Sequence, residues 1–390
     1  MTLVERIDQA PLLLQRWAVS FFPALLQPWV AMLISAAAII GVFASLFALS
    51  TLAERKGLGR IQNRPGPNRV GPFGMLQPLA DGIKMLIKED IVPLRADKVL
   101  HFLAPIALIV PSLLVYSVLP IGRNLIAMQC QLGVLLFFAI GASTELSIFM
   151  AGWGSHNKYS LLGSIRAIAQ MISYELPMVL AAVTVILATS SLDTVNIVEA
   201  QAGGFWAWHA FTPWGAIALL TFFICALAES NRAPFDLPEA ESELIAGHLT
   251  EYSGFKYALF FMAEYLGMMA ISGMAITLFL GGWQAPLPIL NFIPSWMWFF
   301  GKLACFVVLF IWIRGTLPRL RADQLMNLAW KFLLPIALLN IGLAGLWVKS
   351  SGWIAWPISV ILLGLAIVGL GRLLRGSRPR GGKRIYRYAD

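Results

Sequence analysis

Six carboxylates are concentrated in one stretch of this sequence, residues 229–251, which lies between two apolar runs and contains a single basic Arg or Lys residue, Arg232. An ionised carboxylate in hydrocarbon costs roughly 2.5 kcal/mol or more, so these side chains must face water, protein or a polar cavity. Acids placed at a membrane edge typically bind and release protons or ions. The six are Glu229, Asp236, Glu239, Glu241, Glu243 and Glu251.

Helix capping is an alternative role for Asp236 and Glu239. Asp236 precedes Leu-Pro-Glu, so it can be an N-cap, with Pro238 in the first turn and Glu239 completing a capping box. Acidic side chains at that position also complement the helix dipole. Capping explains these two residues as well as proton chemistry does. It does not explain why six acids gather in one stretch.

Further acids lie within or beside other apolar runs. Glu145 and Glu264 are inside such runs, and Glu175 is at the edge of one. Together with Glu229 they predict a polar file that leads inward from the acidic stretch. The alternative is that each acid pairs with a cation or a hydroxyl and only fixes helix packing. Acids within membranes usually mark proton or ion paths, which favours the file.

The elements that must position these acids are membrane helices. The chain has 390 residues, of which 58% are hydrophobic and only 13% are charged, and this composition predicts an all-α polytopic membrane protein. Apolar runs long enough to span a bilayer at about 1.5 Å per residue predict nine transmembrane helices in one membrane domain. The predicted spans are residues 30–53, 102–121, 131–152, 174–190, 213–228, 255–281, 296–313, 332–348 and 353–371.

Most of the 29 Lys and Arg residues fall on one side of these spans when the N-terminus is placed outside. The positive-inside rule therefore predicts large cytoplasmic loops and a cytoplasmic C-terminus. The net charge of +9 follows from this topology. Basic residues do not alternate with aromatic residues as in nucleic-acid grooves, so no nucleic-acid partner is expected. The predicted cytoplasmic segments are 54–98, 153–173, 229–254, 314–331 and a basic tail at 372–390.

The loop at 54–98 has the composition of a structured docking surface. Glycines and prolines recur between positions 57 and 78, which forbids a long helix and imposes a turn-rich path. Between 75 and 87 the apolar positions recur at helical spacing, which predicts a short amphipathic helix at the membrane surface or against a partner. A disordered basic linker would instead be rich in Ser or Gln.

The sequence predicts no metal ligands and no covalently bound cofactor on this chain. Cys130, Cys225 and Cys305 are far apart, so no iron–sulfur or zinc spacing is present. The four histidines are equally scattered, and no nucleotide-binding glycine loop occurs. Any redox cofactor is therefore expected on another chain.

Four long motifs are distinctive in this sequence. They are GPNRVGPFGMLQPLADGIKMLIKE at 66–89, NKYSLLGSIRAIAQMISYE at 157–175, AESNRAPFDLPEAESELIAG with EYSG and AEY within 228–265, and IWIRGTLPRLRADQ at 311–324. At these residues the chain resembles the H subunit of bacterial proton-translocating NADH:quinone oxidoreductase, respiratory complex I, the family of the first mitochondrially encoded complex I subunit. The resemblance covers about residues 30–348, with the motifs in the family's order. Asn63 and Ala322 stand where many members have other residues, often Tyr at 322.

The resemblance implies a translocase subunit that carries no cofactor, is inactive alone, and forms much of the quinone chamber in a bacterial inner membrane. Quinone is the implied substrate, with FMN and iron–sulfur clusters on partner subunits. The implied partners are the peripheral-arm quinone-site and iron–sulfur subunits, the other membrane-arm subunits, and lipid. The family's quinone passage corresponds to Glu54, Arg55, Arg64, Asp81, Arg232, Phe261 and Arg314. Its acidic file corresponds to Glu175, Glu229, Asp236, Glu239, Glu241 and Glu264.

Two alternatives come from other classes of protein. The equivalent subunit of a membrane-bound hydrogenase would share weaker versions of the loops, whereas the motifs here are nearly complete. A stand-alone proton-coupled secondary transporter would have pseudo-repeated halves with discontinuous helices in matching positions. The sequence has no evident repeat, and its large loops lie on one predicted side, which favours a docking subunit.

Overall fold

The computed structural model describes residues 7–236 and 246–349, together with positions 357, 360, 361, 364 and 368. These residues form helices, and within them the β-pairing is limited to an isolated bridge between Gly122 and Leu125. The all-α prediction is confirmed. The helices are α1 Ala10–Val19, α2 Gln27–Ile61, α3 Gln77–Ile87, α4 Lys98–Leu114, α5 Gly133–Gly154, α6 Lys158–Thr189, α7 Thr194–Glu199, α8 Pro213–Glu229, α9 Gly254–Phe279, α10 Ser295–Thr316, α11 Ala322–Leu328 and α12 Leu334–Lys349.

Seven helical stretches of the described residues are long and apolar enough to cross a membrane. They are α2, α4 with the turn after it, α5, α6, α9, α10, and α11 continued through a π-helical turn into α12. Helix α8 is also apolar but shorter. Each of these eight elements lies over one of the first eight predicted spans. The ninth predicted span, 353–371, falls largely outside the described residues, and the sidedness remains a prediction.

Three helices extend into segments that hydropathy had assigned to cytoplasmic loops. Helix α2 continues to Ile61, α6 begins at Lys158, and α11 occupies part of the segment predicted as loop 314–331. Parts of the segments 54–98, 153–173 and 314–331 are thus helical rather than irregular, and their cytoplasmic location stays a prediction. The cause is polarity: the early part of α6 carries Ser160, Ser164 and Gln170, which are buried against other helices. These side chains face protein, so an apolarity criterion misses them.

Local sequence fixes where the helices begin and end. The Asp97 carboxylate accepts a hydrogen bond of 3.0 Å from the backbone N–H of Val99 at the start of α4, which is an N-cap. Helix α2 ends in a Schellman motif, with Asn63 at φ 54° and the Arg64 N–H donating to the Gly59 carbonyl at 2.8 Å. Asparagine tolerates this left-handed conformation. The unusual residue at 63 thus suits the turn by which the loop leaves α2.

The amphipathic helix predicted at 75–87 is confirmed as α3. Its apolar side chains Leu79, Ile83 and Leu86 are exposed on the described chain. The turn before it is tied to α2, because the Lys56 ammonium donates to the Phe73 carbonyl. The loop is therefore a defined structure that presents an apolar surface.

Helix α9 is central and α2 is peripheral. Of the most apolar window of α9, 72% is buried within the chain, against 6% of that of α2. The Tyr116 hydroxyl of the turn after α4 donates to the Leu266 carbonyl of α9 at 2.5 Å. Polar side chains that lie between α2 and α9 are consequently placed between the body of the bundle and its most exposed helix.

Candidate functional site

Glu54 lies at the centre of a buried cluster to which four elements contribute. Arg232 Nη1 lies 3.1 Å from Glu54 Oε1, and the Tyr265 hydroxyl donates to Oε2 at 2.5 Å. Arg314 also forms an ion pair with this carboxylate. Helix α2 supplies Glu54, α9 supplies Tyr265, α10 supplies Arg314, and the segment between α8 and α9 supplies Arg232. Three of these residues, all but Arg314, are buried.

The cluster contains two cations for one carboxylate. The Arg232 guanidinium carbon lies 3.9 Å from the centroid of the Tyr265 ring, which is a cation–π contact. Burial lowers the pKa of Arg232, but Tyr265 and Glu54 outweigh it and raise the pKa, so Arg232 stays charged. The Arg314 side chain is 34% exposed, and all four residues line a small cavity. Guanidinium groups so placed can bind an anion or a polarised oxygen of a ligand.

Aromatic rings form the apolar wall beside this cluster. The Phe261 ring centroid is 4.9 Å from that of Tyr265, and Phe47 lies 5.4 Å from Tyr265 and 6.2 Å from Phe261. Of the residues that the resemblance assigned to the passage, this region therefore unites Glu54, Arg232, Phe261 and Arg314.

The other predicted passage residues lie in the more exposed loop. The Arg55 guanidinium donates to the Asp81 carboxylate at 2.5 Å and so joins α2 to α3. Partial burial raises the pKa of Asp81, but the hydrogen bond and charge of Arg55 outweigh it and hold that pKa below its ordinary value. Arg64 is exposed and donates to Gln62 at 2.8 Å. Arg64 is thus placed apart from the buried cluster.

The segment 229–236 is held by contacts to α6 and to the α10–α11 connection. The Gln170 amide donates to the carbonyls of Ala228 and Phe235, both at 2.7 Å. Asp236 accepts a hydrogen bond of 2.7 Å from Arg319. The helix that Asp236 was predicted to cap lies outside the described residues, as do Glu239, Glu241 and Glu243.

Three carboxyl groups of the helix bundle interact electrostatically. Glu145 on α5 and Glu175 on α6 interact through their side chains. Both also interact electrostatically with Glu229 at the end of α8. Within the described chain, the buried Oε2 atom of Glu229 has no hydrogen-bond partner.

Glu229 shares a cavity with Glu264 of α9. This cavity has a volume of about 80 Å³, whereas ~10–15 Å³ is enough for one water molecule. Glu264 precedes Tyr265 on α9 and interacts electrostatically with Arg232. Pairwise electrostatic interactions and one shared cavity thus relate Arg232, Glu264, Glu229, Glu175 and Glu145, and the file itself stays a prediction. The other polar residues of the cavity wall are Ser112, Thr144, Ser230, Asn231 and His248.

Sequence reasoning missed four residues that the structure brings into these contacts. Tyr265 and Arg319 stand inside recognised motifs, so their position there was a usable signal. Gln170 was overlooked because its segment was assigned to a loop. His248 lies within the acidic stretch, where the carboxylates drew attention. Among the described residues, no three His, Cys, Asp or Glu side chains are grouped as a metal site would require.

Comparisons with known proteins agree with the motifs. The family model described as NADH dehydrogenase matches residues 34–345. The H subunit of the NADH-quinone oxidoreductase of Rubrobacter xylanophilus is 47% identical over 315 residues, which cover 80% of this chain and 94% of the relative. The H subunit numbered 2 of the same enzyme in Geobacter sulfurreducens is 48% identical over 321 residues, covering 80% and 94%. The H subunit of Methylibium petroleiphilum is 43% identical over 332 residues, covering 83% and 94%. The chain therefore belongs to the NADH dehydrogenase family, the family of the H subunits of NADH-quinone oxidoreductase.

Proposed function

We propose that this chain is the quinone-chamber subunit of a multisubunit NADH-quinone oxidoreductase in a bacterial inner membrane. Its acidic file would couple quinone reduction to proton translocation. The names of relatives that match over nearly their whole length support the enzyme, and the apolar helices support a multi-pass membrane protein. The subunit works only within the complex. FMN and iron–sulfur clusters of partner subunits deliver the electrons, and this chain provides the surroundings of the quinone.

The observation that carries this proposal is the cluster around Glu54. A buried carboxylate held by Arg232, Arg314 and Tyr265 lies beside an aromatic wall. A quinone has an apolar ring and tail with two carbonyl oxygens. Apolar sites that offer a few well-placed polar groups are typical for such ligands. Arg314, which keeps part of its surface accessible, is the cation best placed to receive negative charge on the quinone.

Negative charge on the quinone can affect the acidic file electrostatically through Arg232. Reducing a quinone by two electrons creates negative charge that must draw two protons or be held by cations. Arg232 interacts with both Glu54 and Glu264, so a change in how strongly it is held at the cluster alters the proton affinity of Glu264. In a low-dielectric interior such interactions act over several ångströms.

From Glu264 the proton occupancy of the file can change as a set. Glu264 and Glu229 line one cavity, and Glu229 interacts with Glu175 and Glu145. Interacting carboxyl groups titrate together rather than singly. A proton gained or lost beside the quinone cluster therefore shifts protons along the file. Asp236, Glu239 and Glu241 would extend it on the loop.

The loop between α2 and α4 supplies the docking face for the peripheral arm in this proposal. Arg55 and Asp81 fix α3 against α2, and the apolar side chains of α3 are exposed. Arg64 is exposed in the same loop. It can form an ion pair with an acidic group of a partner subunit or lie at the entrance of the quinone passage. Partner subunits with quinone-site and iron–sulfur roles would cover this surface.

The two alternative functions are less well supported. Relatives with 86–96% of their own length matched are named NADH-quinone oxidoreductase, which favours the quinone enzyme over a hydrogenase subunit. A stand-alone transporter would not need the fixed, exposed surface of α3.

The proposal is tested by purifying the tagged chain from its native membrane in mild detergent. Co-purifying subunits are identified, and inhibitor-sensitive NADH:quinone activity is assayed. We expect a large flavin and iron–sulfur assembly with that activity. Recovery with nickel hydrogenase subunits, or of the chain alone, contradicts the proposal.

A further inference from the structure

His248 is a buried imidazole held by close backbone packing. It lies in the 3-10 turn Gly247–Leu249, directly before α9, and is 2% exposed. A methyl group on Gly163 of α6 would lie within 2.5 Å of the Gly247 Cα atom, so the turn sits directly on α6. The Ser160 hydroxyl donates weakly to the His248 carbonyl, at 3.4 Å. The position of the ring is thus set by the backbone rather than by a salt bridge.

His248 forms part of the wall of the cavity that Glu229 and Glu264 share. Its ring centroid lies 5.8 Å from that of Phe260 in a T-shaped contact. The Nδ1 atom is buried and has no hydrogen-bond partner within the described part of the chain. A buried polar atom without a hydrogen-bond partner is destabilising. Water in a cavity of this size can supply the missing partner.

The surroundings keep this histidine neutral. Burial lowers the pKa of His248 to about 4, so at pH 7 one ring nitrogen is a donor and the other an acceptor. The titratable groups around it are Glu229 and Glu264 across the cavity. Beyond Phe260 lie Tyr252 and His101, whose rings are stacked at 4.1 Å. A neutral imidazole that shares a cavity with two carboxyl groups can accept a proton on one nitrogen and release one from the other.

We propose that His248 is a proton-relaying residue of the acidic file, joining Glu229 to Glu264 through water in their shared cavity. A proton from the water on one side binds the acceptor nitrogen, and the proton of the other nitrogen leaves to the water on the far side. The ring is neutral before and after, so one proton enters and one leaves. The inference rests on the proposed coupling function and adds to it a member that is not an acid.

The test compares variants within the assembled complex in native membrane vesicles. His248→Gln keeps a donor and an acceptor but cannot exchange one proton for another, and His248→Phe removes both nitrogens. His209→Gln is the matched control, because His209 is also a buried histidine with a pKa lowered to about 4 by burial, and it does not line this cavity. NADH oxidation by ferricyanide measures the amount of assembled complex. Quinone turnover and protons pumped per NADH, in H₂O and in D₂O, measure the relay.

We expect His248→Gln to lower coupled quinone turnover at least tenfold per assembled complex and to change its solvent isotope effect, with His209→Gln unchanged. Wild-type turnover, pumping and isotope effect in His248→Gln overturn the relay. If His248→Phe fails to assemble, His248→Gln still decides. Glu229→Gln separates the two claims: if it is impaired while His248→Gln is normal, the relay alone fails, and if both are normal, the coupling function fails too.

Discussion

Replacing Glu54 by Gln removes the one carboxylate that the structure pairs with both Arg232 and Arg314. Loss of one partner of a buried ion pair costs about 3–5 kcal/mol, because the other charge stays buried. Arg232 is 7% exposed, and among the described residues it keeps the Tyr265 ring and the electrostatic interaction with Glu264. The Arg314 side chain is 34% exposed and can be hydrated, so loss of its ion pair with Glu54 adds little to this cost. The expected cost is therefore at the lower end, about 3 kcal/mol.

At about 1.4 kcal/mol per tenfold change, this cost corresponds to roughly 150-fold more frequent local opening of the end of α2. Hydrogen exchange of peptides that cover this helix end, in the purified complex, measures the change. The double variant Glu54→Gln, Arg232→Met removes both buried charges and should open less than the single variant. Exchange within about threefold of wild type in Glu54→Gln refutes the view that this pair is buried and coupled.

Three other predictions concern the surroundings of the site. Arg319→Gln breaks the pair with Asp236, but Arg319 is 40% exposed, so quinone turnover should fall less than about fivefold, as expected for a loss of under ~1 kcal/mol; a larger loss would give this pair a direct role. Burial lowers the pKa of His209 to about 4, below the ordinary ~6.5, so its contribution to stability is lost as pH falls from about 6.5 towards 4. Between pH 7 and pH 5 the wild type should therefore lose about 2 kcal/mol more of its free energy of unfolding than His209→Gln loses. Thermal unfolding of both proteins at the two pH values measures this difference. Lys302→Met removes three hydrogen bonds to the carbonyls of Leu280, Gly282 and Gln284; it should cost at least ~3 kcal/mol of thermal stability while protons pumped per NADH stay unchanged.

The sequence predicted most of the architecture because hydropathy reports which segments avoid water. It failed where polar residues are buried by protein rather than exposed to solvent. The early part of α6 is the clearest case: Gln170 and its neighbours are polar, so the segment was assigned to a loop, yet Gln170 orders the segment 229–236. Single-residue hydropathy cannot distinguish a solvated polar side chain from one whose partner lies sixty residues away.

The site was predicted residue by residue, but its connections were not. Motifs identified Glu54, Arg232 and Glu264, and hydropathy identified Glu145 as a buried acid. That Arg232 faces both Glu54 and Glu264 depends on the segment 229–236 folding back between α2 and α9. Tyr265 was missed because its neighbour carries the charge, although its hydroxyl makes the hydrogen bond to Glu54.

The central claim is that the carboxyl groups around the cavity convert quinone reduction into proton movement. It is tested most directly by protons pumped per NADH in vesicles that carry Glu229→Gln, with exposed Glu199→Gln as the matched control. We expect Glu229→Gln to lose most pumping, or most quinone turnover with it, while ferricyanide reduction and the control stay at wild-type levels. Normal turnover and normal pumping in Glu229→Gln would contradict the account.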